Sequence, residues 1–265
     1  QVFIKRQDRY SPQEASPIHI QKIQVARTRS VKDRGLVSVT DYSFDEASKS
    51  YIAMPLITGT PFRQYMQGGP VSVDLLHNLA LTLDRLSQND EFGYHGDVKP
   101  ENMIVTEEGV VLVDCGYFGS IEPESTPDND KKTLIVTTPR YYPHLIADDL
   151  LAFGLLLWES ACRKPLLGKV SYSKDHDISK VGDELLSIVY EEEALGNFHF
   201  SRIVKAKRPS EYRPGMPEVM EEVLLKSVRL CFDREGVLDF DEGYETFEEI
   251  AYDLSSLIEQ GIYYL

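Results

Sequence analysis

His95-Gly96-Asp97-Val98-Lys99-Pro100-Glu101-Asn102-Met103-Ile104-Val105 is the stretch on which the reading of this chain turns. It places an acid at Asp97, a cation two residues on at Lys99 and a side-chain amide three further at Asn102. Phosphoryl transfer leaves little covalent work to a protein; a nucleophile must be oriented and charge on the transferring group neutralised. In that chemistry Asp97 orients a substrate hydroxyl, Lys99 lies against the γ-phosphate and the Asn102 side-chain oxygen binds a divalent cation. Mg²⁺ prefers a few hard oxygen ligands completed by phosphate and water, so a second protein ligand is expected nearby. Asp114, in Val111-Leu112-Val113-Asp114-Cys115-Gly116, closes an apolar run that starts at Gly109. Residues 103–105 and 110–113 read as a hairpin around a turn at 107–109, which returns Asp114 to the end where Asn102 lies.

These two motifs, in this order, resemble the catalytic loop and the DFG motif of the eukaryotic-type protein kinase family. Downstream, Thr138-Pro139-Arg140-Tyr141-Tyr142-Pro143 resembles the segment that receives the substrate, and Asp149-Leu150-Leu151-Ala152-Phe153-Gly154 the start of that family's large buried helix. Upstream, Val2-Phe3-Ile4-Lys5 resembles the family's third strand, and Tyr51-Ile52-Ala53-Met54 the strand before the hinge. The resemblance implies an α+β, bilobal fold: a small β-rich N-lobe with one helix over 1–56, and a larger, mainly helical C-lobe over 57–265. The hinge falls at 55–59, the catalytic loop at 95–102 and the activation segment at 114–143.

The same resemblance implies ATP and Mg²⁺ as cofactors, with Mn²⁺ as a substitute. Lys5 would hold the α- and β-phosphates, with Met54 as gatekeeper. Pro55 would offer a carbonyl and Ile57 an N–H to adenine, while Ile104 lies beneath the ring. Asn102 and Asp114 would share the metal, with Asp97 and Lys99 as catalytic residues. Thr138 would bond both on the substrate side, and His95 would serve only as a structural hydrogen-bonding group. Lys99-Pro100-Glu101 and Thr138 point to Ser or Thr on a protein as the acceptor. Two alternatives stand beside that reading. A pseudokinase would use the fold as a scaffold or allosteric binding module, and a small-molecule kinase would share only the His-Gly-Asp triplet.

Several positions depart from the pattern. Gly96 stands where many kinases carry the Arg that pairs with a phosphorylated activation loop, so control by loop phosphate is not expected despite Ser120, Ser125, Thr126 and Thr133. A strand is expected from Leu36-Val37, and counting back from it puts Gln24, with Gln21 on the same face, where a helix glutamate would pair with Lys5. Glutamine keeps a hydrogen bond there but not the ion pair. Phe3 replaces the small residue that roofs adenine, and Cys115 replaces the aromatic of DFG. His144 and Tyr244 take the places of a buried Glu and its Arg partner; a loss of both is tolerable where a loss of one is not. No GxGxxG occurs in the chain, which opens in the strand carrying Lys5, so the first strands and the Gly-rich loop are expected upstream of Gln1.

Composition sets the remaining bounds. At 265 residues and 42% hydrophobic the chain can bury a sizeable core. Its 28 Lys plus Arg against 43 Asp plus Glu give a formal charge of -15, a surface that repels nucleic acid and suits a protein substrate with basic segments. Three scattered cysteines, Cys115, Cys162 and Cys231, fit reduced thiols in a cytoplasmic protein. The apolar run 150–158 is too short to insert in a membrane. Oligomeric state is not legible. Ser72 opens an amphipathic helix, 216–232 reads as another, and 246–259 as a third with a Thr246/Glu249 capping box. Glu191-Glu192-Glu193 read as solvated helix surface. The acid- and glycine-rich stretch 233–249 does not fit the spacing of a calcium loop.

Overall fold

In the computed structural model, the described residues are 2–6, 17–44, 51–121, 132–138, 140–142, 147–167, 186–191, 207–232, 238–240 and 243–265. Strand β1 (Val2–Arg6) pairs antiparallel with β3 (Tyr51–Pro55), which pairs on its other edge with β2 (Asp41–Ser43), giving the order β1-β3-β2. Helix α1 (Pro17–Ser30) begins at the proline, whose fixed φ suits a first helical turn. Val25 of α1 packs with Val37, Val39, Ile52 and Met54 into a small core of their own. The strand expected from Leu36 starts instead at Asp41. Leu36 and Val37 are drawn to the larger lobe, where Leu36 bridges Leu112 and the Val37 amide donates to the Leu112 carbonyl at 2.9 Å.

The chain then crosses into the larger lobe. Strand β4 (Thr60–Pro61) joins β5 (Met103–Thr106) and β6 (Gly109–Leu112) in a second sheet, and α2 (Phe62–Gly68) follows directly. Gly59 is required at the crossing, because a Cβ there would lie 2.3 Å from the Val105 carbonyl oxygen. Helix α3 (Val73–Ser87) is capped by the Ser72 hydroxyl as expected, and its Leu76, Leu79, Ala80, Leu83 and Leu86 are buried. A turn of 3-10 helix at Pro100–Asn102 leads from the catalytic loop into β5. The expected hairpin forms in register, Met103 opposite Leu112 and Thr106 opposite Gly109.

After Asp114 the chain forms a sheet that no sequence signal announced. Strands β7 (Tyr117–Ile121) and β8 (Lys132–Thr137) pair antiparallel, and β8 pairs again with a later strand, β9 (Leu186–Glu191). Glu191 therefore stands in a strand opposite Lys132 rather than on a helix surface; Glu192 and Glu193 lie outside the described residues.

Between β8 and β9 runs α4 (Asp149–Cys162), buried on nearly all sides, as its run of Leu, Phe and Trp requires. Helices α5 (Pro209–Tyr212), α6 (Glu218–Ser227) and α7 (Phe247–Glu259) complete the lobe, with β10 (Leu230–Phe232) and β11 (Leu238–Phe240) as a two-stranded ribbon. The single helix expected over 216–232 is thus divided. Arg229 takes φ 58 after α6, and the apolar residues beyond it pair as a strand. At α7 the Thr246 hydroxyl accepts from the Glu249 amide at 3.2 Å, but the Glu249 carboxylate turns back to the Glu245 amide. One large core joins α3, α4, α6 and α7, with Trp158, Phe153 and Leu254 essentially sealed from solvent. Two lobes, each with its own core, make this a bilobal, protein-kinase-like α+β fold.

Candidate active site

The loop from His95 to Lys99 is held from behind by the start of α4. Backbone amides of His95 and Gly96 both donate to the Asp149 carboxylate, and the Tyr142 hydroxyl donates to it at 2.6 Å. That hydroxyl also accepts from the Val98 amide at 2.8 Å, so Tyr142 fastens the residue between Asp97 and Lys99. Gly96 has φ 79, where a side chain would be strained. Burial pushes the Asp149 carboxyl upward, against the three hydrogen bonds that favour its ionised form. His95 is buried; its Nδ1 accepts from the Asp97 amide at 3.3 Å, leaving Nε2 to donate to the Val113 carbonyl at 3.1 Å. Burial depresses this imidazole to about 4 even though Asp97 lies close. It is neutral at physiological pH, in a structural position.

In front of this frame, three buried polar side chains close a ring and a fourth, Asn102, is bonded to it through Asp97. The Lys99 ammonium lies 3.0 Å from Asp97 Oδ2 and donates to the Thr138 hydroxyl at 2.7 Å. The Thr138 hydroxyl donates to Asp97 Oδ1 at 2.7 Å, and Asn102 Nδ2 donates to Asp97 Oδ2 at 2.6 Å. Thr137, the neighbour of Thr138, donates to the Gly96 carbonyl at 2.9 Å, fixing the substrate-side segment against the loop. A carboxylate this well supplied with donors is fixed in direction, as a group that orients a hydroxyl must be.

Asp114 reaches the same place by the hairpin. The Val113 amide donates to the Asn102 carbonyl at 2.9 Å and Asn102 Nδ2 donates to the Asp114 carbonyl at 3.1 Å. Asp114 has φ 52, a left-handed conformation that non-glycine residues hold only where surroundings enforce it. The side-chain hydrogen bonds of Asn102 use its amide nitrogen, which leaves the side-chain oxygen able to ligate a cation. That oxygen and the exposed Asp114 carboxylate are hard donors fit for Mg²⁺. Among the described residues no group of three or more His, Cys, Asp or Glu could enclose a metal alone. Two ligands suit an ion whose other positions are filled by phosphate and water.

The residues expected on the nucleotide side are assembled more loosely. Met54 is buried at the small-lobe core, with Ile57 packed against that core, while Pro55 is exposed and Ile104 half-buried in β5 beside Gly59. Lys5 pairs with Ile52 across β1 and β3, and its side chain lies outside what is described. Phe3 is opposite Met54 and 49% exposed, two residues from Lys5 and so on the same face of the strand. The Gln24 amide donates to the Cys115 carbonyl, while the Lys5 side chain it is expected to meet lies outside the described residues. Gln24, Thr28, Val37, Val39, Ile52, Met54, Asp114 and Cys115 line one recess between α1 and the Asp114 loop. Burial pushes the Cys115 thiol up to about 12, so it is an inert, protonated wall of that recess.

Sequence reasoning missed the residues that brace the site from a distance. Arg63 of α2 donates to Glu101 at 2.6 Å, to Glu159 of α4 and to the Tyr141 hydroxyl at 3.1 Å. Tyr141 donates in turn to Glu159. Burial opposes the Arg63 charge, but Glu101 and Glu159 more than restore it and hold its proton more firmly than usual. A lone Arg at the start of a short helix carries no such signal in sequence. Of the matched pair, Tyr244 is buried and donates to Asp253 at 2.7 Å, whereas His144 lies outside the described residues.

No protein-family model matches the chain. Among curated proteins it is 23% identical over 244 residues to a probable serine/threonine-protein kinase PknB of Bifidobacterium longum, covering 88% of this chain and 31% of that protein. It is 26% identical over 203 residues to the serine/threonine-protein kinase PknD of Mycobacterium tuberculosis, covering 73% and 27%. The chain thus spans about a third or less of the length of these relatives. Among solved structures, the Mycobacterium tuberculosis PknI kinase domain superposes with a TM-score of 0.56 at 16% identity, over 96% of this chain and 85% of that one. Fold, motif order and these similarities, at low identity, support a eukaryotic-type protein-kinase-like domain.

Proposed function

We propose that this domain transfers the γ-phosphate of ATP to a Ser or Thr hydroxyl of a protein. The observation that carries the reading is the buried ring of Asp97, Lys99 and Thr138 with Asn102 bonded to Asp97. Asp97 orients the incoming hydroxyl and takes its proton, and Lys99 neutralises charge on the transferred group. Thr138 ties both to the substrate-side segment. Asn102 and Asp114 would hold Mg²⁺, which when bound shields the phosphate charge. Lys5 binds the α- and β-phosphates, with Met54, Pro55, Ile57 and Ile104 around the adenine. The division at a hinge over 55–59 gives the nucleotide a cleft between the two cores. Relatives named as serine/threonine-protein kinases support the acceptor class. The acidic formal charge of -15 favours protein segments with basic residues, in a cytoplasmic setting. Among the described residues no helix is long and apolar enough to cross a membrane.

Phosphate transfer from labelled ATP to basic proteins tests this directly, with Asp97→Asn as control. Equal labelling by both proteins would place the activity elsewhere.

A second reading, a scaffold that uses the fold without catalysis, is favoured by one observation: the exposed Phe3 ring stands on the Lys5 face of β1, opposite Met54. Thermal stability separates the two, because a ligand that binds only the folded state raises its melting temperature. No shift at millimolar ATP with Mg²⁺, and a shift restored by Phe3→Ala, would assign the block to that ring.

A further inference from the structure

Helix α1 carries no Asp or Glu, so it brings no carboxylate to the site. It brings a cation instead. Arg27 is buried, and its Nε and Nη2 donate to the Phe92 carbonyl at 3.1 and 2.9 Å while Nη1 donates to the Gly116 carbonyl at 3.2 Å. The guanidinium also lies over the rings of Tyr94 and Phe92, 4.2 and 4.9 Å from their centroids. A buried guanidinium is expensive unless its donors are used; here carbonyls and aromatic faces use them.

The carbonyls it holds are significant for where they are. Gln24, three residues earlier on α1, donates to the Cys115 carbonyl, and Arg27 takes the next carbonyl, that of Gly116. Both directly follow Asp114 with its left-handed backbone. From the other side the Gly116 amide donates to the His95 carbonyl at 2.9 Å. Two consecutive peptide units after Asp114 are therefore pinned between the helix and the catalytic loop.

We infer that Arg27 is a positioning residue which, with Gln24, docks α1 onto the backbone after Asp114 and so fixes how that carboxylate meets a nucleotide-bound cation. The inference rests on the phosphotransfer reading above. Because the anchors are fixed backbone carbonyls and rings, docking needs no phosphate on the segment that follows. To the one Gln24 hydrogen bond Arg27 adds three more between α1 and the larger lobe.

The test compares Arg27→Met, similar in length but without donors, with Arg27→Lys and with Lys22→Met as an exposed control on the same helix. Two readouts are taken: amide hydrogen exchange by segment, and phosphotransfer as a function of Mg²⁺. For Arg27→Met, exchange in α1 and residues 115–117 should rise at least about tenfold while α3 and α7 stay protected. The Mg²⁺ midpoint should rise several-fold and kcat fall about tenfold or more, with KM for the protein substrate within about twofold. Arg27→Lys keeps the charge but not the fork, and should recover part of both effects. Unchanged exchange in α1, or an unchanged Mg²⁺ midpoint and kcat, would overturn the inference. Should Arg27→Met not fold, wild-type behaviour of Arg27→Lys in both readouts overturns it equally. Raised local exchange in a protein whose wild type transfers no phosphate would sink the phosphotransfer reading while supporting the docking of α1 through Arg27.

Discussion

Around residues 95–102 the polar groups are satisfied many times over, by Thr138, Tyr142, Asp149 and one another, whereas α1 is tied to the chain after Asp114 through Gln24 and Arg27. The first arrangement starts from near neighbours, with Asp97 and Asn102 only five residues apart, and is cross-linked many times by residues 39 to 54 positions further along the chain. The second is built across about ninety residues, from α1 to the chain after Asp114. A site assembled locally and cross-linked can keep its geometry when one contact is lost. A part held by a few side chains of one helix has less redundancy, so the loss of one contact should cost it more.

The largest effect expected is on chemistry inside the cross-linked loop. Asp97→Asn preserves shape yet removes the proton acceptor, so phosphotransfer should fall about 10²- to 10⁴-fold, read by labelled ATP. A loss under about tenfold would show that the ring tolerates a neutral member.

Acid pH probes the frame behind the loop. Folded His95 titrates at about 4 against an ordinary 6.5, so between those values the unfolded chain binds a proton that the folded one refuses. Stability from this residue is complete above pH 6.5 and is lost as pH falls toward 4. The loss should reach about 3 kcal/mol at roughly 1.4 kcal/mol per pH unit. Urea unfolding of wild type and His95→Gln across this window should show a steeper decline for wild type; parallel curves would mean that the imidazole charges freely in the fold.

Tyr142→Phe removes one oxygen from that frame. The Val98 amide loses its acceptor and Asp149 a donor, at a cost of about 1–3 kcal/mol in urea unfolding. If the loop is as cross-linked as described, KM for ATP should change less than kcat.

The smallest effect is expected where the sequence offers the most hydroxyls. Ser120 and Thr133 face each other across β7 and β8, and Gly96 supplies no cation for a phosphate. Alanine at Ser120, Ser125, Thr126 and Thr133 together should leave the rate within about twofold, since a phosphate there lacks a charged partner at Gly96. A large loss would restore control by phosphorylation.

The hairpin from Met103 to Leu112, the Ser72-capped helix and the buried helix at Asp149 were legible because each is a local pattern: alternation, a cap, an unbroken apolar run. The association of Asp97, Lys99 and Asn102 was legible for the same reason. The division of 216–232 into α6 and β10 was not, because apolar spacing alone does not distinguish a helix from a helix followed by a strand. The sheet of β7, β8 and β9 depends on a partner more than fifty residues away, which leaves no periodic trace.

Taken alone, then, the amino-acid sequence determined the chemistry that this protein can attempt, since acid, cation and amide at fixed spacing are covalent facts of the chain. Tertiary structure decided what supports that chemistry. It bent Gln24 to the Cys115 carbonyl, set Arg27 between two rings and two carbonyls, and locked Tyr142 to Val98 and Asp149. Such contacts satisfy buried polar groups brought together from distant parts of the chain, and so they are fixed by packing and not by neighbours in sequence.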